Sequence, residues 1–227
     1  MNRRDIGDLA TSYGITRLCH FTPFRNLHHI LPNEAIVSSA TLRADYPTGF
    51  NPTDIVRLDR KTSHICTSIE YPNVWYLEKL EAEADVYPEH ALLLIKSSVM
   101  FTPGTLFCPN NAARSGTSQI PGADGLSALY ADVVVGKATY RRKLRHPRWL
   151  PTDMQAEVLI PNMIPLEAVT GIVVRSQGSA AALLGQLRSG KTGLKMPLYV
   201  SAEIFDKNFM FNLRAGGPRP REELYME

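Results

Sequence analysis

The sequence has no apolar run that approaches the length needed to span a bilayer, and no hydrophobic stretch of signal-peptide type follows Met1-Asn2-Arg3-Arg4-Asp5. The expectation is therefore a soluble, cytoplasmic protein without membrane partners. Cysteine is scarce: Cys19, Cys66 and Cys108 are odd in number, widely spaced and set in apolar or strand-like sequence. That excludes a disulfide framework and a CxxC metal knuckle and favours a reducing compartment. Phosphate-cradling glycine loops of the Rossmann and P-loop kinds are missing, as are the GxSxG and HExxH signatures, so nucleotide-fold, serine-hydrolase and zincin readings lack support. No internal repeat, linker or composition break divides the 227 residues, which suits one sizeable core.

What is present is an ordinary globular composition, 44% hydrophobic and 21% charged, with a net charge of only +3. A charge this small does not by itself call for nucleic acid. The positive charge is unevenly spread, however: Lys137, Arg141, Arg142, Lys143, Arg145 and Arg148 follow one another with no acid among them. Such a run is either a solvated loop or a track for phosphates.

Along the chain, residues 1–14 form an amphipathic lead-in, and residues 15–22 alternate as a strand that Pro23 ends. Residues 26–31 have helical spacing up to Pro32-Asn33. His20, His28 and His29 invite a metal reading, but adjacent histidines on a helix point to different faces, so no metal is expected. Residues 46–54 read as an exposed loop able to cover a ligand. A strand is predicted at 64–69, a helix from Trp75 with its neighbour Tyr76, and a central strand buried on both faces at 90–96. The segment 107–113 reads as a turn leading into a loop, 115–125 as irregular, and 126–135 as a short helix. Strands follow at 156–160, 171–175 and 197–201, with an amphipathic helix at 179–188 and a flexible C-terminal tail at 214–227. Several short strands with few, short helices argue for a mixed α+β domain over residues 1–213.

The stretch from Pro151 to Ile160 runs a polar turn into an apolar strand that begins with a carboxylate, Glu157. Such a residue is either an ordinary strand-end side chain paired with an arginine or a group placed for chemistry. Gln155 and Glu157 are two residues apart, so in an extended segment they share a face, and a carboxamide and a carboxylate can address one ligand together. With a His-x-Thr on an upstream strand, this resembles the ADP-ribosyltransferase pattern, in which NAD lies across a split sheet.

Taken together, five segments resemble the DarT family: Cys19-His20-Phe21-Thr22 with Arg25-Asn26-Leu27, residues 54–59, residues 67–73, residues 107–113, and Asp153-Met154-Gln155-Ala156-Glu157-Val158-Leu159. No single motif is specific; their order is. The resemblance implies a single-domain ADP-ribosyltransferase fold, a split mixed β-sheet with flanking short helices, and a toxin that transfers ADP-ribose from NAD to a base of single-stranded DNA. It implies Glu157 and Arg57 as catalytic residues, and His20, Phe21, Thr22, Asn26, Arg57, Ser68, Tyr71, Tyr76 and Gln155 around NAD. One of Tyr71, Trp75 and Tyr76 is a candidate stack for nicotinamide, with core packing the leading role for any one of them. Because the family places its target-recognition loop just before the catalytic stretch, Tyr140, Arg141, Arg142, Lys143, Arg145, His146, Arg148 and Trp149 are expected to hold DNA, the arginines on phosphates and an aromatic on a base. An antitoxin of macrodomain or NADAR type that removes the modification is the implied partner, and the chain is expected to be monomeric. The segment around Arg57 lacks the Gly-rich basic run of the family's thymidine branch, which leans the target toward guanosine. The competing readings are an RNA or protein acceptor, and a non-catalytic nucleic-acid module working through the basic loop alone.

Overall fold

A computed structural model describes residues 5–45, 61–83 and 89–226 of the chain. Arg57 and the proposed covering loop at 46–54 lie outside the described residues. From the N-terminus the elements are α1 (Ile6–Tyr13), β1 (Arg17–Pro23), α2 (Phe24–Ile30), β2 (Ala35–Val37), α3 (Ser39–Asp45), β3 (His64–Ile69), α4 (Val74–Glu83), β4 (His90–Lys96), β5 (Leu106–Cys108), β6 (Ile120–Pro121) and α5 (Gly122–Ala128). They continue with β7 (Val133–Val135), β8 (Thr139–Arg141), β9 (Glu157–Pro161), β10 (Met163–Pro165), β11 (Val169–Val174), α6 (Gln177–Ser189), β12 (Leu198–Val200), α7 (Lys207–Arg214) and β13 (Glu223–Leu224).

Nine of these strands form one mixed sheet in the order β13-β12-β11-β4-β1-β3-β9-β5-β6, in which only β11 and β12 run parallel. The middle strand is β1, and beside it β4 is an interior strand whose run of six buried residues from His90 to Ile95 matches the two-faced burial predicted for it. Alternation along the strands then sorts two cores. Leu18, Ile65, Leu93, Val158 and Ile172 face one side, covered by Leu9 of α1, Leu27 of α2, Leu126 of α5 and Leu183 of α6. Cys19, Leu92, Leu94 and Val173 face the other, covered by Val74 and Leu77 of α4 and by Met210 and Leu213 of α7. Caps fix the helix ends: Asp5 accepts from the Gly7 amide, Ser176 from Ser179 and Asp206 from Asn208.

The structure departs from the sequence reading in three places. The helix expected at 126–135 is α5, which starts at Gly122 inside the supposedly irregular segment and ends at Ala128. Its second half is β7, paired with β8 as a hairpin, because three consecutive valines suit an extended ladder better than a helix. The segment at 107–113 begins within β5, which is short enough for its turn residues to dominate the sequence pattern. Finally, where a flexible tail is expected at 214–227, β13 pairs with the sheet edge at Tyr199↔Leu224 and Val200↔Glu223. The edge strand β12 supplies unpaired backbone groups that a polar, Pro/Gly-rich segment can satisfy without any hydrophobic signature of its own.

Candidate active site

The site begins where the sheet parts. β1 pairs with β4 along its whole length, from Arg17↔Lys96 to Pro23↔His90, but pairs with β3 only at Leu18↔Ile69 and Cys19↔Ser68. Beyond Cys19 the two strands separate. In place of a ladder bond the His20 imidazole reaches across, with Nδ1 2.8 Å from the Cys66 carbonyl. Since a carbonyl only accepts, Nδ1 carries the hydrogen. Two residues on, Thr22 is buried and its Oγ1 accepts from Asn26 Nδ2 at 2.9 Å, which fixes the start of α2 against the strand.

On the far side of the gap, β3 pairs with β9 from His64↔Pro161 to Thr67↔Val158, and Glu157 is paired with Cys108 of β5. The same register carried one residue on sets Ser68 across from Glu157. Opposed residues of an antiparallel ladder share a face. Cys19, Ser68, Glu157 and Cys108 thus form one row across the sheet, with Glu157 half-buried between the buried Ser68 and Cys108. Phe21 continues that face and meets Tyr76 with ring centroids 6.1 Å apart. The expected NAD group is therefore divided: Phe21, Ser68, Tyr76 and Glu157 on one face, His20 and Thr22 on the other, with the gap between β1 and β3 joining them.

Gln155 is placed differently from the sequence expectation. It lies in the turn before β9, not in the strand, so strand alternation does not put it beside Glu157. The turn is made by Asp153, whose Oδ1 accepts from the Gln155 amide at 2.9 Å and whose carbonyl accepts from Ala156 at 3.0 Å. The Gln155 side chain lies beside the Tyr140 hydroxyl of β8, whose pKa burial raises and Gln155 draws back down. Asp153 is buried, and burial pushes its carboxyl up to about 6 against the pull of the Gln155 amide, Arg214 and Arg114. Sequence reading passed over this residue, although an Asp two positions before a turn residue is a recognisable signal. The β7–β8 hairpin packs on it: Gly136 approaches so closely that a Cβ there would lie 2.5 Å from Asp153 Oδ2. Asn110 holds the same hairpin through Nδ2 to the Val135 carbonyl at 2.9 Å, which explains the Pro-Asn-Asn segment after β5.

The basic loop divides into braces and exposed groups. Arg142 turns inward: Nη1 donates to the Leu150 carbonyl (2.9 Å) and Thr152 Oγ1 (3.2 Å), and Nη2 to the Pro147 carbonyl (2.9 Å). His146 is buried with Nε2 at 3.2 and 3.1 Å from the Leu150 and Pro151 carbonyls. Burial, reinforced by Arg142, lowers its pKa to about 4, so it is a neutral donor that pins the loop. Both residues, expected on DNA, direct their polar groups to the loop's own backbone. Arg141, Lys143, Arg145 and Arg148 are exposed, and Tyr140 is half-buried beneath the Arg214 guanidinium at 4.8 Å.

Trp149 and Tyr71 meet edge to face at 5.9 Å, and Tyr71 is buried beneath the Arg17 guanidinium at 5.2 Å. Tyr71 is thus a packing residue, its hydroxyl pushed up to about 12 chiefly by burial. Around this pair lies a cluster that sequence reading missed. Glu70, fully buried in the left-handed region at φ 64°, accepts one bifurcated hydrogen bond from the Thr16 hydroxyl, at 2.9 and 3.0 Å to its two carboxylate oxygens, and its carbonyl accepts from Arg17 Nε at 3.0 Å. Arg219, from the segment expected to be flexible, lies over the Trp149 ring at 4.1 Å and reaches Glu70 at 3.4 Å. Nothing local in sequence links residues 17, 70, 149 and 219.

A family model described as "DarT: ssDNA thymidine ADP-ribosyltransferase, DarT" matches residues 19–206. Thermus sp. 2.9 DarT in complex with NAD+ is similar in structure with a TM-score of 0.57 and 14% identity, over 84% of this chain and 98% of that one. The same enzyme in complex with ADP-ribosylated ssDNA matches with a TM-score of 0.57 and 13% identity, over 85% and 97%. Thermosipho africanus DarTG in complex with ADP-ribose matches with a TM-score of 0.57 and 16% identity, over 84% of this chain and 51% of that one. At these identities the structural likeness concerns the fold. No curated protein matches the chain in sequence.

Proposed function

Because the match over residues 19–206 takes in most of its 227 residues, the chain belongs to the DarT family of single-stranded-DNA ADP-ribosyltransferases, and we propose that Glu157 is the carboxylate on which its transfer reaction turns. The observation that carries this reading is the position of Glu157: first residue of β9, half-buried, and across from Ser68 in the row where β1 and β3 make their last pair before the sheet parts.

NAD supplies the ADP-ribosyl group, exchanging its ribose–nicotinamide bond for a bond from the ribose to a base nitrogen, with a proton lost from the base. The residues suit it. The sheet gap is bordered by His20, Thr22 and Asn26, and Arg25 at the start of α2 keeps a buried Nε that has no hydrogen-bond partner, a donor fit for a phosphate oxygen. Arg57 keeps the role that the family resemblance gives it, near the NAD phosphates and the target base. Glu157, in a partly dry setting, stabilises positive charge developing on the ribose and takes up the proton that the acceptor loses.

Arg141, Lys143, Arg145 and Arg148 follow the phosphate backbone of the strand, held in place by the Arg142 and His146 braces. Gln155, in the turn that leads into the strand of Glu157, lies beside Tyr140 of this loop. The acceptor base is thymidine or guanosine: the family description names thymidine, and the sequence around Arg57 leans to guanosine. An enzyme of this kind needs a partner that removes the modification, of macrodomain or NADAR type. Among the described residues no helix is long and apolar enough to cross a membrane, and the cytoplasm, where DNA and NAD are at hand, is the working compartment.

The test is incubation of the protein with NAD and four single-stranded oligonucleotides, each lacking one base, followed by intact mass. A gain of one ADP-ribose on three of them supports the reading and names the base by the one left unmodified. Unchanged oligonucleotides with NAD consumed would move the acceptor to RNA or protein. Unchanged oligonucleotides with NAD intact would favour a binding module.

A further inference from the structure

The last segment of the chain lies beyond residue 206, where the family match ends, yet it is built into the face that carries Glu157. Trp149 is the exposed-loop aromatic that a base would be expected to stack upon. One face of its ring, however, is covered by the Arg219 guanidinium at 4.1 Å, and Tyr71 packs against it edge to face. Its backbone carbonyl also accepts from the Tyr130 hydroxyl at 3.0 Å. Trp149 is thus a fixed support, and the surface it offers outward is the far side of a guanidinium plane.

We propose that Arg219 is the base-stacking platform of the DNA site: its guanidinium, laid on Trp149, presents its outer face to a base of the single strand. This rests on the single-stranded-DNA reading above. A guanidinium is planar and weakly hydrated, and it stacks on aromatic rings on both sides, which an ammonium cannot do. The Arg219 side chain is 47% exposed, which a base stacked on its outer face requires.

The setting is rigid on every side. Glu70, whose carboxylate orients Arg219 at 3.4 Å, is itself fully buried and held by Thr16. The segment is clamped after Arg219 by Glu222, whose carboxylate receives Arg17 Nη1 at 2.8 Å, and by β13 on the sheet edge. The Arg221 amide donates to Glu203 Oε2 at 2.7 Å. Before Arg219, Gly216 at φ 92° passes so near the basic loop that a Cβ would lie 2.6 Å from the Arg145 carbonyl. Arg214 Nη2 donates to the Arg141 carbonyl at 3.3 Å. The C-terminal segment is in this way continuous with the loop that carries the exposed cations, and Arg219 sits where a strand following those cations would next set down a base.

The experiment compares the full chain with R219K and R219A, reading single-stranded oligonucleotide affinity by fluorescence anisotropy, its salt dependence, the KM for NAD and the thermal midpoint. R219K keeps the charge and the contact to Glu70 and removes only the plane. The expected result is that both variants bind DNA roughly tenfold more weakly, with the KM for NAD unchanged and with the salt slope of R219K equal to that of the parent. R219K binding DNA as the parent does would overturn the proposal, because charge alone would then account for the residue. So would a raised KM for NAD with unchanged DNA affinity, which would put a ring of the dinucleotide on Arg219 instead. Failure of the DNA reading itself is distinguishable, since the parent protein would then neither bind nor modify any oligonucleotide.

Discussion

Substituting Asn for Asp153 is expected to expose a pH dependence that the parent protein conceals. Asp153 is buried, and its folded-state pKa is about 6 against an ordinary 3.8. The folded chain therefore holds this proton more tightly than the unfolded one, and stability falls as pH rises from about 4 to about 6, by about 3 kcal/mol at 1.36 kcal/mol per pH unit. His146, buried nearby in sequence, runs the other way: its pKa falls from 6.5 to about 4, so its contribution is complete above pH 6.5 and is lost as pH drops toward 4, also by about 3 kcal/mol. Over this window the two nearly cancel. D153N keeps an oxygen to accept the Gln155 amide but no longer titrates, leaving the His146 slope alone. Urea denaturation followed by tryptophan fluorescence at several pH values between about 4 and 7 gives the assay, and the difference between variant and parent removes the background of all other groups. D153N should gain about 3 kcal/mol relative to the parent as pH rises through the window. A pH profile parallel to that of the parent would refute the argument, by showing that Asp153 titrates at its ordinary value.

Four further outcomes are expected. E157Q should lower ADP-ribosyl transfer by about 10²- to 10⁴-fold while leaving NAD binding in place, measured by intact mass and by calorimetry; transfer within tenfold of the parent would remove Glu157 from the chemistry. Replacing Arg141, Lys143 and Arg145 together by Gln should weaken DNA binding and flatten its log–log salt slope by about 2, whereas R142A should chiefly lower the thermal midpoint, because its guanidinium binds the loop's own carbonyls. G136A should destabilise the protein by about 1–3 kcal/mol, since the new methyl would meet Asp153 Oδ2 at 2.5 Å and Asn110 Cβ at 3.2 Å; an unchanged denaturation midpoint would show that the hairpin yields without cost.

Much of the frame is legible in the residues themselves. The continuous apolar run of β4, the alternation of β1 and β3, the Leu183–Leu187 spacing of α6 and the carboxylate at the mouth of β9 are all local patterns. The readings that failed were those in which a pattern was short or its context distant. Val133–Val135 follows a helix with no breaker between them, which predicts its continuation, but it pairs with Thr139–Arg141. The spacing of Gln155 and Glu157 puts them on one face only if the chain is extended there, and the Asp153 turn competes with extension. Arg142 and His146 look like their cationic neighbours in sequence, and only the path of the loop turns them inward.

What the sequence alone determined was therefore the kind of element each stretch forms, the family it resembles, and Glu157 as the residue to watch, because strand and helix periodicities are set by backbone geometry within a few residues. The tertiary structure decided the rest. It parted β1 from β3 after two pairs, set Ser68 opposite Glu157, and brought Arg219 onto Trp149 and Glu70. These are matters of strand register and chain return over as many as 149 residues, from Glu70 to Arg219. Register and return are fixed by which buried faces and unpaired edges fit one another, and no local pattern encodes that fit.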